Sequence, residues 1–275
     1  QRHLCVYHQS GHRGIDGKNI HDLPDKDFDT VCGKLKDAGV EINCFGSAIA
    51  NWAKSVEKPF DVTMDEVRRA IPRMKRLGTK LVRIMSYPLI PGRSPEDQMQ
   101  EERFRRLREV QKAFSAEGLT PVHENCMNYG GMGWKYTLRL IENVPGLKLV
   151  FDTGNTVGSD DRNGPPPYPK QSSWDFYSHI REHVIYIHIK DGTWDPVKQK
   201  TTCTYPGEGN GDVRRIVEDL FKNKYNGGFS IEPHMAVVAH DESVQSKAEV
   251  RFNIYVEYGR RMMKIIEEAR KNAKR

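Results

Sequence analysis

Residues 146–155 read GLKLVFDTGN. A glycine turn leads into a short apolar run, too brief for a helix, and the run ends on Asp152 followed by the turn-forming Thr-Gly-Asn. The same grammar recurs along the chain at 3–8 (HLCVYH), 40–45 (VEINCF), 80–85 (KLVRIM), 120–124 (TPVHE), 184–190 (VIYIHIK) and 228–232 (GFSIE). Longer segments of helical period separate these runs. Alternation of that kind is the signature of βαβ units and a parallel sheet.

The helices between the runs carry their own signals. Phe28, Val31, Cys32 and Leu35 fall at i, i+3, i+4 and i+7, and Gly39 stands where a glycine would end that helix. Thr63 with Glu66 three residues later has the form of a capping box, and Pro72 should kink the helix that follows. Further helices are predicted over 95–117, 135–143 and 212–222, and from about 246 to the end. Two stretches break the rhythm: 159–173, which contains GPPPYP, and the polar, glycine-containing 192–211. Each follows a strand at its C-terminal end, the face on which a parallel barrel builds its active site, so both are expected to shape a pocket.

Seven strands are one short of a closed eight. The fold class expected is α/β, a (β/α)8-type TIM barrel whose first strand and helix lie outside this chain, with 1–275 as a single domain; about 250 residues is usual for such a barrel. The alternative is a natural incomplete barrel whose gap another segment or subunit fills. An edge left open would favour association with a second copy of the chain.

Composition narrows the function classes. A hydrophobic fraction of 37% with 29% charged residues builds a core inside a well-solvated surface. The formal charge of +6 comes largely from helix faces such as 103–108 and from the Lys/Arg-rich tail, without the interleaved aromatics of a nucleic-acid surface, so no nucleic-acid partner is expected. No run approaches the roughly 20 apolar residues of a membrane span. Cys5, Cys32, Cys44, Cys126 and Cys203 are odd in number and scattered, as reduced thiols are, which favours the cytoplasm. A chain that opens on Gln1 also leaves a secreted origin with a removed N-terminal segment open.

The chemistry sits at the ends of the last four runs, which read PVHEN, VFDTGN, YIHIKD and SIEPH. Strand side chains alternate faces, so Glu124, Asp152, His188 and Glu232, if they point into the barrel mouth, share a face with Val122, Val150, Tyr186 and Ser230. The gaps of 28, 36 and 44 residues (124 to 152, 152 to 188, 188 to 232) each suffice for one crossover. Three carboxylates and an imidazole carry a charge of about −3, which cannot stay buried and ionised without a compensating cation. The oxygen-rich set favours Mn²⁺, Mg²⁺ or Co²⁺ over Zn²⁺, and one divalent ion is expected. Lys190 and His234, each two positions beyond a proposed ligand, are candidate substrate contacts. Trp134 and Trp194 could wall a sugar face or simply pack. His123 should face away from Glu124, as a packing or backbone-bonded residue. The glycine-rich PGEGNGD at 206–212 lacks the spacing of a P-loop or dinucleotide fingerprint and reads as a loop anchor.

HEN at 123–125, FDTGN at 151–155, HIKD at 188–191, GEG at 207–209 and EPH at 232–234 occur in an order that resembles the sugar phosphate isomerase/epimerase family of xylose isomerase-like barrels. The resemblance spans nearly the whole chain. It implies metal ligation by Glu124, Asp152, His188 and Glu232, with Glu124 and Glu232 doubling as the acid/base pair. Asn155 stands where many ketose epimerases have a histidine, which puts it among the substrate-contact candidates with Lys190, His234 and Trp194. The resemblance implies a small carbohydrate substrate, with or without phosphate, isomerised or epimerised by proton transfer next to a carbonyl through an enediolate. The same apparatus can eliminate a β-leaving group, so a lyase or dehydratase acting on an oxidised sugar or keto-glycoside is the alternative. A nuclease, which in this superfamily uses more histidines, and a non-catalytic sugar-binding subunit are lesser readings.

Overall fold

The computed structural model describes residues 3–4, 19–235 and 247–274, with backbone alone at His3, Leu4 and Ala248. Ten strands alternate with seven α-helices among these residues: β1 (His3–Leu4), α1 (Asp25–Asp37), β2 (Glu41–Ile42), β3 (Cys44–Gly46), α2 (Asp61–Leu77), β4 (Leu81–Ile84), α3 (Gln100–Ser115), β5 (Thr120–Glu124), α4 (Trp134–Asn143), β6 (Lys148–Asp152), α5 (Ser173–Ile180), β7 (Val184–Ile189), β8 (Gly192–Asp195), β9 (Lys200–Cys203), α6 (Val213–Lys222), β10 (Gly228–Ile231) and α7 (Ala248–Asn272). A parallel sheet has the order β3-β4-β5-β6-β7-β10, β1 pairs with β2, and β8 with β9 form an antiparallel hairpin. Parallel strands alternating with helices in this order are the α/β architecture of a TIM barrel, as expected. Residues 5–8 of the first predicted strand lie outside the described residues.

The chain divides into two compact units. In the first, built on residues up to 149, β3, β4 and β5 run parallel with Gly46 opposite Arg83 and Arg83 opposite Val122. Their helices bury the stripes that the sequence period demands: Val67, Ala70 and Met74 on α2, and Leu107, Val110 and Phe114 on α3, all sealed from solvent. In the second, which runs from residue 150, Gly228 pairs with Tyr186 and Ser230 with His188. Val213, Ile216, Val217 and Leu220 of α6 and Tyr258, Met262, Ile265 and Ala269 of α7 supply its buried stripes. Among the described residues no helix is long and apolar enough to cross a membrane.

Several local expectations are revised. The predicted run 40–45 is two strands, because a bend at Asn43 hands pairing from β1 to β4. The capping box does not form: α2 begins at Asp61, so Thr63 lies inside its first turn, with Tyr87 Oη 2.9 Å from its hydroxyl, while Glu66 pairs with Lys54. The helix continues through Pro72. Of the segment predicted as helix over 95–117, only Gln100–Ser115 is helical, and Met99 just before it has a left-handed backbone. Helix α5 was not anticipated, although Ser172 caps it by accepting from the Asp175 N–H. The 192–211 stretch contains the β8–β9 hairpin.

Candidate metal centre

In the second unit, three of the four predicted ligands converge. Asp152 ends β6, His188 lies in the last turn of the pleat of β7, and Glu232 follows β10, its own N–H donating to the Ile189 carbonyl at 2.8 Å. All three are buried, with 0%, 1% and 3% exposure. His188 Nδ1 lies 3.0 Å from Glu232 Oε1. The predicted face is real here, because the Tyr186 hydroxyl is 2.7 Å from that of Ser230 one pleat below.

Lys190 binds this group together. Its ammonium lies 3.2 Å from Asp152 Oδ2 and 3.5 Å from Glu232 Oε2, and it donates to Asn155 Oδ1 at 2.5 Å. Burial by itself would raise the Glu232 carboxyl; Lys190, a hydrogen bond and charge from His188, and His234, whose Nε2 is 3.6 Å away, outweigh it and hold the group well below the ordinary carboxylate range. Asp152 is aimed by its own chain, since Oδ1 accepts from the N–H groups of Gly154 and Asn155 at 2.8 and 2.9 Å. Thr153 ties the strand ends: its hydroxyl donates to the Lys190 carbonyl at 2.6 Å and its N–H to the His188 carbonyl at 3.1 Å. Residue 154 must be glycine, because a Cβ there would stand 2.7 Å from Lys190 Cγ.

The glycine-rich loop is an anchor, and Asp191 is what it is anchored to. The Asp191 carboxylate accepts four N–H bonds, from Gly192, Gly207, Gly209 and Gly211, at 2.9, 2.8, 3.1 and 2.9 Å. A Cβ at Gly209 would fall 2.3 Å from that carboxylate. The loop therefore fixes the residue that follows Lys190. Trp194 packs differently from a free sugar platform: its ring lies against Gly158, with the Lys170 ammonium 4.4 Å from its centroid. Trp134 stacks on His179 at 3.9 Å.

In the first unit, Glu124 ends β5 with 2% exposure, and Arg83 from β4 meets it. Arg83 Nη1 donates to Glu124 Oε2 at 2.6 Å, and Nη2 to the Ser47 carbonyl at 2.6 Å. Sequence reasoning missed Arg83. The signal available was a single charge within the apolar run KLVRIM, at a position whose register opposite Val122 puts it on the face that Glu124 occupies. His123 does face away from Glu124, but its partner is a side chain: Nε2 is 3.0 Å from the Ser86 hydroxyl, and burial pushes its pKa down to about 4.

A buried cluster of carboxylate and imidazole donors, charged and held in place, fits a divalent ion. The donor set is oxygen-rich with one nitrogen and no thiolate.

Comparison with known proteins agrees with this architecture. The profile of the xylose isomerase-like TIM barrel family matches residues 7–252. A search of curated proteins finds no match. Among solved structures, a xylose isomerase-like TIM barrel protein from Mycobacterium smegmatis in complex with magnesium is similar, with a TM-score of 0.67 and 16% identity over 98% of this chain and 85% of that one. An L-ribulose 3-epimerase gives a TM-score of 0.65 at 16% identity, over 92% and 84% of the two chains. The probable 3-DHS dehydratase AsbF of Bacillus anthracis, involved in petrobactin synthesis, gives 0.59 at 16% identity, over 87% and 84%. At such identities the likeness is one of fold.

Proposed function

The chain belongs to the xylose isomerase-like TIM barrel family, and from that premise we propose that it is a metal-dependent isomerase or epimerase of a small carbohydrate, moving a proton next to a carbonyl. The observation that carries this reading is the buried grouping of Asp152, His188 and Glu232 in the second unit, with Lys190 between the two carboxylates; Glu124, buried at the end of β5, is the fourth donor we assign. These four would hold one Mn²⁺, Mg²⁺ or Co²⁺ ion. When bound, the ion supplies polarisation of the substrate carbonyl and stabilises charge on the enediolate.

The residues supply the rest. Glu232, kept ionised by Lys190, His188 and His234, is ready to take the proton α to the carbonyl. Glu124 returns a proton, and the carbon that receives it decides between epimerisation and aldose–ketose isomerisation. Arg83 holds Glu124 Oε2 and so orients the carboxylate. Lys190 has three donors, and a substrate oxygen that replaces one of its present contacts gains a charge-assisted hydrogen bond. His234 and Asn155 border the same ammonium and carboxylate and serve as substrate contacts. Trp194, seated on Gly158 with Lys170 over its ring, is the least supported of the substrate contacts we assign.

A second reading has one observation in its favour. Asn155 gives its carbonyl oxygen to Lys190 and offers no titratable group where many ketose epimerases have a histidine, which suits elimination from an oxidised sugar as well as epimerisation. The two readings separate when the protein is incubated with Mn²⁺ and either ketoses or 3-keto-glycosides in D₂O. Deuterium incorporated at a carbon next to the carbonyl, with no group lost, is the expected result. Release of water or an aglycone would establish the lyase instead, and neither exchange nor release with either substrate class would sink both.

A further inference from the structure

A second group of metal-type donors lies within the first unit. His21, Asp22 and Glu66 each offer one ligand atom, all within 4.8 Å of one another. His21 is fully buried, with its Nε2 3.5 Å from Asp22 Oδ2 and 3.8 Å from Glu66 Oε1. Both of its ring nitrogens lack a hydrogen-bond partner among the described residues, and so does Glu66 Oε2. A sealed imidazole with neither nitrogen satisfied is destabilising unless something binds it.

The spacing says what that something is. Hydrogen bonds to a carboxylate close to roughly 2.7–3.2 Å, so His21 stands too far from both acids to bond either. Donors around an ion with bonds of about 2.1 Å sit roughly 3.4 Å apart in a tetrahedral shell, and His21 Nε2 stands 3.5 and 3.8 Å from the two carboxylate oxygens. The frame is built independently of any ligand. Arg73 on α2, the helix that carries Glu66, donates to the backbone carbonyls of Ile20 and Leu23, bracketing His21 and Asp22, and Arg69 grips Asp22 Oδ1 at 2.7 Å. Two cations are already present, the Arg69 guanidinium on Asp22 Oδ1 and Lys54, whose Nζ is 2.5 Å from Glu66 Oε1 on a side chain 24% exposed. The Lys54 ammonium can swing into solvent, whereas His21 cannot.

We propose that His21, Asp22 and Glu66 form a second divalent-metal site, selective for an ion that takes imidazole with carboxylates, such as Zn²⁺ or Co²⁺, in competition with the Lys54 ammonium. Three protein donors leave at least one coordination position for water. The site stands apart in its residues from the strand-end ligands, and the proposal does not depend on their reading.

Equilibrium dialysis of the purified chain against Zn²⁺, with elemental analysis of bound metal, tests it. His21→Gln and Glu66→Gln should each bind one equivalent fewer than the unmodified chain, and Asp152→Asn should keep the equivalent that His21→Gln removes. Lys54→Met, a change at a partly exposed side chain, should tighten that equivalent about tenfold by removing its competitor. Unchanged stoichiometry in both His21→Gln and Glu66→Gln would refute the site. So would a Lys54→Met chain with the same or weaker Zn²⁺ affinity, a result that stands even where the histidine variant fails to fold.

Discussion

The ends of β5 and β7 each carry a buried histidine, and the two do opposite things. His123 is sealed against Ser86, with its ionisation suppressed to about 4 by burial. His188 is equally sealed, with 1% exposure for each residue, yet it faces a carboxylate 3.0 Å away. Residue type, strand position and burial are shared; what differs is the face of the pleat and the partner found there. A strand-end histidine is thus made a ligand candidate by its neighbours across the sheet. The acids repeat the lesson, since Glu124 shares a guanidinium with the Ser47 carbonyl whereas Asp152 and Glu232 share an ammonium.

The sharpest way to test that contrast is to neutralise the acids on the functional face. Glu232→Gln and Glu124→Gln should each lower turnover by about 10³-fold, with far-UV circular dichroism unchanged. Full activity in both would remove the acid/base assignment. On the other face, His123 makes a prediction about stability alone. Its folded pKa of about 4 lies below the ordinary 6.5, so the unfolded chain binds the proton more readily. Stability is therefore complete above about pH 6.5 and falls as pH drops toward 4, by up to roughly 3 kcal/mol. Urea midpoints across that range should show the slope, and His123→Gln should flatten it.

Ser86→Ala comes next. It strips a partner from His123 Nε2, Asn128 and the Gly130 N–H, and should cost about 2 kcal/mol in denaturant melts while leaving metal affinity unaltered. The smallest effect is the most discriminating. Arg83→Lys keeps a positive charge beside Glu124 but cannot also reach the Ser47 carbonyl, and a loss of about tenfold in Mn²⁺ affinity by calorimetry is expected. An Arg83→Lys chain with native affinity would reduce Arg83 to a packing residue.

Much of this was legible without coordinates. The run 146–155 and its six counterparts announced parallel strands, and β5 and β6 begin and end where the sequence placed them. The strand-end positions of Glu124, Asp152, His188 and Glu232 were readable because a period of two fixes which residue shares a face with which. The loop at 206–212 was legible as an anchor, because closely spaced glycines mark close backbone approach. Its partner Asp191 was not, since sixteen residues and a hairpin separate that carboxylate from Gly207.

What the sequence determined by itself is local and periodic: which runs extend, which coil, and which side of each strand a residue takes. Those follow from backbone sterics and from the alternation of apolar and polar residues, both of which act within a few positions of the chain. Charge compensation was decided only by the tertiary structure. Lys190 between Asp152 and Glu232, Arg83 on Glu124, and Lys54 on Glu66 set which acids are paired with a cation, and each depends on side chains brought close from distant positions. Coulomb energy falls with distance through space and is indifferent to separation along the chain, so no pattern of neighbouring letters encodes it.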